Sequence, residues 1–403
     1  MNKLYYENQY IREFTTDITN IQKRDNKYLV GLKDTAFFEG GGGQSRDFGT
    51  IDGLEIQDIL KEDNKILYVL LDKPKNKSNV NCIVNWDNRF DYMQQHSAQH
   101  VLSGCFFKIF NANTAGIHLG SDISYVDIVG TITKDKIIKA EEYANNIIHE
   151  GRKFKFTFAS RSETEKMGLR RDLQTDDNII RVVEIEGLDI NACCGVHCSN
   201  TKELQFIKII NFEKHKTNTR IYYKAGKRAV DHVLKSSLIF DELCNILSTG
   251  TSDVLATINN IIIENNKLKD ENSKMQLSMA EVEVQNLISN SEKIDETLVV
   301  HNIYKNKDKK FLNKIVSKIT SENSSVIVIA NILDDKVSFV CACSKNIENM
   351  NMNNILKDIL PIIDGKGGGN NTLAQGSGIN IKNVQDAIDI SLDKIKEVLE
   401  NMK

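Results

Sequence analysis

Short alternating runs of apolar and polar residues fill the first 85 positions, among them Lys27-Tyr-Leu-Val-Gly-Leu, Lys65-Ile-Leu-Tyr-Val-Leu-Leu and Asn81-Cys-Ile-Val-Asn. Runs of this length between turn clusters predict strands, and a small N-terminal β-barrel or meander is expected over 1–85. The period then changes. A proline-free stretch over 87–110 sets Phe90, Met93, Val101, Cys105 and Ile109 along one helical face, with Asp87 as N-cap. A second helix is expected over 135–149. Lys153-Phe-Lys-Phe-Thr-Phe alternates strictly, and Arg181-Val-Val-Glu-Ile also reads as a strand. Residues 86–240 therefore read as an α+β domain.

Over 241–292 the pattern is helical. Val254, Ile261, Leu268, Met275 and Val282 recur every seven residues, and Asn265, Asn272 and Asn286 fall along the companion position. A seam of this kind predicts a coiled coil, an antiparallel helical hairpin or one long packed helix. Residues 293–403 alternate strands (Ser325-Val-Ile-Val-Ile-Ala, Val337-Ser-Phe-Val-Cys-Ala) with helices over 311–319 and 383–399, an α/β unit. The fold class expected for the whole chain is α+β, in four segments.

Composition adds limits. With 403 residues, 40% of them hydrophobic and 27% charged, the chain is long enough for several cores and ordinary for a globular protein. The N-terminal ten residues lack the apolar run of a signal peptide, and no stretch reaches membrane-spanning length. Eight cysteines outside any small-domain framework point to the reducing cytoplasm rather than to disulfides. A net charge of −3 leaves no global nucleic-acid footprint, so RNA contacts must come from local patches. One candidate is 202–235, with nine Lys/Arg against three Asp/Glu and with Arg220, Lys224, Lys227 and Arg228 close together. Its alternative is a solvated charged face.

Two strings carry the chemistry. His96-Ser-Ala-Gln-His100 lies in the predicted helix, where residues four apart share a face. Cys193-Cys-Gly-Val-His197 follows the Arg181 strand with the same three-residue gap. Two imidazoles from a helix and a Cys/His pair from a loop suit Zn²⁺, one ion per chain, through His96, His100, Cys193 and His197. Cys193 is preferred over Cys194 and Cys198 because it alone gives the matched spacing; the other two are expected to pack as small hydrophobes.

Two glycine-rich stretches remain. Glu39-Gly-Gly-Gly-Gly-Gln-Ser-Arg lets the backbone turn tightly and approach a ligand, with Gln44 beyond it able to present an amide. Gly365-Lys-Gly-Gly-Gly, followed by Ala374-Gln-Gly, is neither a P-loop nor a dinucleotide fingerprint, which disfavours nucleotide binding. Lys366 and the amides of Gly367, Gly368 and Gly369, with Gln375 nearby, are expected to form an anion-binding nest.

Together these motifs resemble the freestanding alanyl-tRNA editing proteins, relatives of the editing half of alanyl-tRNA synthetase. The likeness rests on Gly41-Gly-Gly-Gln44, the His96/His100 helix, the Cys193/His197 loop after Arg181-Val-Val, and Arg220-Ile-Tyr-Tyr. Gly365-Lys-Gly-Gly-Gly with Ala374-Gln375-Gly376 matches the DHH-associated domain that ends the long form. Two departures stand out. Cys-Cys-Gly-Val-His replaces the usual Cys-Gly-Gly-Thr-His, and Glu39-Gly40 replaces Pro-Glu before the glycines.

The resemblance implies hydrolysis of the ester joining serine, or glycine, to tRNA-Ala. It implies zinc at the quartet, Gln44 orienting substrate or water, and Thr35 bonding a seryl hydroxyl. Such a contact discriminates strongly, because a substrate lacking the hydroxyl leaves a polar group unpaired. The tRNA is expected to meet Arg220, Lys224, Lys227 and Arg228, and also Lys366, Gly367, Gly368, Gly369 and Gln375. The chain begins at the strand-rich segment with no aminoacylation domain before it, so action in trans is expected, with a homodimer through 241–403 as a further expectation. Rival readings are an RNA-binding protein with a structural zinc and a DHH-type phosphodiesterase. Against the latter, the nearest approach to Asp-His-His is Asp231-His232-Val233.

Overall fold

The structure is a computed structural model and describes residues 1–62 and 65–401. The fold is α+β. It divides into two compact units, Met1–Ile246 and Leu247–Lys403.

The N-terminal strands do not close into a barrel among the described residues. They pair instead into two four-stranded sheets: Glu13–Thr16, Val80–Val84, Gly49–Ile51, Leu54–Glu55, and Ile18–Arg24, Lys27–Leu32, Lys65–Leu70, Asp58–Glu62. One core joins them, with Phe14, Ile51, Val80 and Cys82 from the first sheet against Val30, Leu32, Tyr68 and Leu70 from the second. Gly49 marks a tight point within the first sheet. Its Cβ position lies 2.1 Å from Ile83 O, so the strand pair approaches too closely for any side chain there.

A long helix, Trp86–Phe110, runs through the middle of this unit. Its N-cap is Asn85, whose side chain accepts from Asn88 N, rather than Asp87. Ile109 is exposed, but Tyr92 to Phe106 are buried on every side, because this helix is the axis around which other elements pack. The helix Lys134–Glu150 covers one flank. A four-stranded antiparallel sheet (Thr114–Leu119, Ser124–Val129, Asn218–Ala225, Ile207–His215) and a three-stranded one (Phe154–Ser160, Ile179–Ile185, Asp189–Ala192) supply the rest of the core. A helix buried all round carries polar residues only where partners await them, and His96, Ser97, Gln99 and His100 all lie in its buried stretch.

The second unit is built on a six-stranded sheet ordered Glu292–Ile294, Thr297–Lys305, Ser325–Ile332, Val337–Cys343, Leu373–Gly378, Gly365–Gly369. Ser325–Ile332 is apolar at consecutive positions because it feeds two cores. Val326, Val328 and Ala330 meet the helices Met352–Ile359 and Val384–Glu400, while Ile327 and Ile329 meet Lys309–Glu322. The glycine-rich stretch is a strand pair and not a loop, with Gly365 opposite Gly378 and Gly369 opposite Ala374.

The helical segment also departs from the expected packing. One helix runs over Lys227–Ile246, across the expected boundary at 241, and another over Val254–Ser289. In the latter, Ile261, Leu268, Met275 and Val282 are each at least 50% exposed, whereas Ala280, Val284 and Leu287 pack on the sheet of the second unit. The heptad seam is therefore not what holds this helix to its own unit. No described helix is long and apolar enough to cross a membrane, and the eight cysteines are free.

Candidate metal centre and substrate cavity

His96 and His100 leave the central helix one turn apart and meet Cys193 and His197 from the loop after Asp189–Ala192. One ligand atom from each residue lies within 4.8 Å of all the others. Cys193 Sγ is 3.4 Å from His96 Nε2 and 3.3 Å from His197 Nε2. Zinc bond lengths at a tetrahedral angle put a sulfur and a nitrogen ligand about 3.5 Å apart, so the set fits such an ion.

Each imidazole is fixed through its other nitrogen. His96 Nδ1 faces Gln44 Oε1 at 3.0 Å, His100 Nδ1 faces Asp189 Oδ2 at 2.9 Å, and His197 Nδ1 faces Ser97 Oγ at 3.4 Å. That leaves three Nε2 atoms for the common centre, the arrangement outer partners impose on ligating histidines. Asp189 also accepts from Arg170 Nε at 2.7 Å and from Asn191 Nδ2 at 2.7 Å. Burial works against the Cys193 thiolate, yet the neighbouring His96 and His197 outweigh it and hold the thiol well below its ordinary range. Burial drives His197 the other way, well below the usual imidazole value. A thiolate beside a neutral imidazole is the protonation state in which these groups coordinate metal.

The glycines make this approach possible. A Cβ on Gly195 would sit 2.2 Å from His96 Cε1 and 2.9 Å from Gln44 Oε1, so the ring occupies the space that a side chain would need. Gly42 and Gly43 take φ values of +58° and +85° in a two-residue turn, closed by reciprocal Gly41 and Gln44 backbone hydrogen bonds of 3.0 Å. The turn brings Gln44 back against the quartet. There its Oε1 also accepts from Val196 N at 2.9 Å, while its buried Nε2 has no partner among the described residues. Arg89 anchors the loop from the helix by an ion pair to Asp47, and both side chains are almost wholly buried.

A cavity of about 490 Å³ opens over three members of the quartet, His96, His100 and Cys193, with His197 buried behind them. Gly42, His96, His100, Arg170, Arg171, Ile179, Arg181, Cys193 and Cys194 are among its lining residues. The Arg181 guanidinium donates to Cys193 O at 2.9 Å and Gly195 O at 2.8 Å, between the rings of Tyr6 and Phe156. It shapes the ligand loop directly, which accounts for an arginine at the head of this strand.

Several expected residues fall elsewhere. Thr35 does not line the cavity: it is fully buried in the N-terminal part, and its hydroxyl bonds Tyr68 Oη at 2.6 Å and Phe37 N at 3.0 Å. Cys198 packs in the core, but Cys194 is exposed, with its sulfur against Gly41 and Gly42. The four clustered cations of the basic stretch each have an acidic partner. Arg220 pairs with Asp127, Lys224 with Asp122, Lys227 with Asp231 and Arg228 with Asp91. In the second unit Lys366, Gly367, Gly368 and Gly369 lie exposed on the edge strand, and Gln375 on the adjacent strand donates to Asn313 of the helix Lys309–Glu322. Extended edge backbone replaces the expected nest. Sequence reasoning missed Asp189, Arg170, Ser97 and Arg181. The available signal was a charge or hydroxyl placed beside, or one short strand before, a ligand.

Comparison with known proteins follows the same division. Residues 180–222 match the family described as threonyl and alanyl tRNA synthetase second additional domain, and residues 295–399 match the DHHA1 domain. Alanyl-tRNA editing protein AlaX-L of Pyrococcus horikoshii is 24% identical, over 99% of this chain and 100% of its own length. Alanyl-tRNA editing protein Aarsd1 of Danio rerio is 28% identical over 87% of this chain and 84% of its own. The alanine–tRNA ligase of Methanococcus aeolicus is 29% identical over 93% of this chain, which spans only 41% of that protein.

Proposed function

We propose that this chain, similar over its whole length to the long-form freestanding alanyl-tRNA editing proteins, removes wrong amino acids from tRNA-Ala in trans. Serine is the main substrate residue and glycine the second. The observation that carries this reading is the buried quartet with three imidazoles each oriented from behind, of which His96, His100 and Cys193 line an open cavity.

His96, His100, Cys193 and His197 would hold one Zn²⁺. When bound, the ion supplies Lewis acidity and an anchor for an oxygen or amine of the substrate. The chain's own groups do the rest. Gln44 is not among the residues lining the cavity, but its Oε1 is committed to His96, which is, and to Val196, and both N–H groups of its buried Nε2 are left without a partner among the described residues. That Nε2 is satisfied by a seryl hydroxyl or by the ester carbonyl, and an alanyl group leaves the first of these unmade. Arg181 keeps the Cys193–Gly195 backbone turned so that the thiolate faces the histidines. The neutralised 220–228 cations leave tRNA capture to other surfaces, and Lys366 with the exposed Gly367–Gly369 edge is the one we assign. The exposed Ile261, Leu268 and Met275 seam is the surface through which a second copy would pair.

The test is release of serine from Ser-tRNA-Ala by the full chain before and after metal removal. Activity that disappears on stripping and returns with Zn²⁺ supports the reading. Activity that is indifferent to the metal removes the role given to the quartet.

A further inference from the structure

Beyond the quartet, the rim of the cavity has two features with no role so far. The first is an exposed apolar ledge. Phe158 pairs with Arg181 and Ser160 with Ile179 across two antiparallel strands, so Phe158, Arg181 and Ile179 share one face of the sheet. Phe158 is 55% exposed and Ile179 is 68% exposed, and Ile179 lines the cavity itself. The Tyr6 ring meets Phe158 edge-on at 5.7 Å, and its hydroxyl donates to Cys194 O at 2.7 Å. Single exposed hydrophobics are common, but here Phe158, itself outside the lining, adjoins Arg181 through the Tyr6 ring, and Arg181 and Ile179 on the same sheet face line the cavity beside Cys193.

The second feature is Arg171. It lines the same cavity half-buried, yet no ion pair joins it to any described residue. Its neighbour Arg170 is spent on Asp189, and Asp172 and Asp177 also line the cavity without pairing to Arg171. Burial and the Arg170 charge work against the Arg171 cation, and the Asp189 carboxylate, already held by Arg170, supports it only at a distance, so an anion brought by a ligand would stabilise it.

We propose that this rim holds the last nucleotides of the single-stranded 3′ end. The terminal base stacks on Phe158 beside Ile179, and the last phosphodiester pairs with Arg171, while the ester reaches the quartet. The inference rests on the deacylation reading and names where the RNA sits within it. The chemistry matches a flat heterocycle and a phosphate joined by a short linker to the ester. Aromatic platforms accept any base face, and an arginine fork accepts a phosphate in two contacts.

The experiment uses the full chain and uncharged tRNA with 2-aminopurine as its terminal base, whose fluorescence falls on stacking. Wild-type protein should quench it. Phe158→Ala should abolish most of the quenching and raise the KM for mischarged tRNA about tenfold, and Phe158→Trp should restore both. Arg171→Gln should weaken binding and reduce the slope of log affinity against log salt by about 0.7. Unchanged quenching in Phe158→Ala, or none in the wild type, overturns the proposal. Quenching that responds to Phe158 in a protein that deacylates nothing would uphold this site while defeating the function proposed above.

Discussion

The Asp189 carboxylate accepts from Nδ1 of His100 at 2.9 Å, and both groups are buried beside Cys193. This contact fixes which nitrogen of His100 faces the centre, and Arg170 holds the carboxylate from behind. Asp189→Asn should therefore lower zinc affinity about 10- to 100-fold, read by competition with a chromogenic chelator. An affinity equal to wild type would show that the carboxylate is not needed to orient the ring.

The same pair sets a pH dependence. Burial works against the His100 charge, but the Asp189 hydrogen bond and the Cys193 sulfur outweigh it and push the group up to about 9. The folded value is thus above the ordinary 6.5. In metal-free protein this charge stabilises the fold fully below about pH 6.5, and the contribution is lost as pH rises through about 9. Zinc needs the neutral ring, so the added stability from zinc should grow over the same window. The single tryptophan, Trp86, lies at the start of the central helix and reports unfolding of this unit. Cys193, held well below its ordinary range, gains stability over the same window, so the His100 part is read as the difference between wild type and Asp189→Asn in metal-free protein. A difference that does not shrink between pH 6.5 and 9 would contradict the assignment.

Gly195→Ala tests packing against the metal set. The added Cβ meets the His96 ring at 2.2 Å, and the ring cannot yield without leaving Gln44. Zinc content should fall well below one per chain, with a stability loss of about 1–3 kcal/mol from overpacking. Full zinc content in this variant would mean that the loop relaxes freely.

Arg89→Ala removes one partner of a buried ion pair that ties the central helix to the glycine loop. About 3–5 kcal/mol should be lost, measured by urea unfolding followed at Trp86. The double variant Arg89→Met with Asp47→Leu should lose less, since no uncompensated charge stays buried.

Much of the site could be read before the fold. The x3 spacings of His96/His100 and Cys193/His197 are local, so helix and loop geometry alone bring each pair together. Thr35 could not be placed in this way. A threonine next to a predicted glycine loop looks like a substrate contact, but Tyr68, 33 residues away, takes its hydroxyl. The ion pairs of the basic stretch were hidden for the same reason, because Asp91, Asp122 and Asp127, the partners of Arg228, Lys224 and Arg220, lie about a hundred residues upstream. The heptad at 254–282 was legible as a helix, but not which face would pack: the second unit's sheet takes Ala280, Val284 and Leu287 instead. Long-range pairing decides these points, and periodicity carries no record of it.

Removing residues from 247 onward tests the division of labour. A cut near 292 would strip Val284 and Leu287 from the core of the second unit, so the boundary after Ile246 is the proper one. The shortened protein should show a raised KM for mischarged tRNA and a weaker salt dependence, because fewer phosphates are neutralised. Affinity equal to that of the full chain at moderate salt would assign the second unit to another purpose.

The central claim is tested most directly by the initial deacylation rates of the zinc-loaded full chain on Ser-tRNA-Ala, Gly-tRNA-Ala, Ala-tRNA-Ala and Ser-tRNA-Thr, side by side. The account predicts hydrolysis of Ser-tRNA-Ala at least about 100-fold faster than of Ala-tRNA-Ala, since only the seryl group offers the Gln44 amide a hydroxyl besides the ester carbonyl. It also predicts slow turnover of Ser-tRNA-Thr. Equal rates on the seryl and alanyl esters of tRNA-Ala would contradict it.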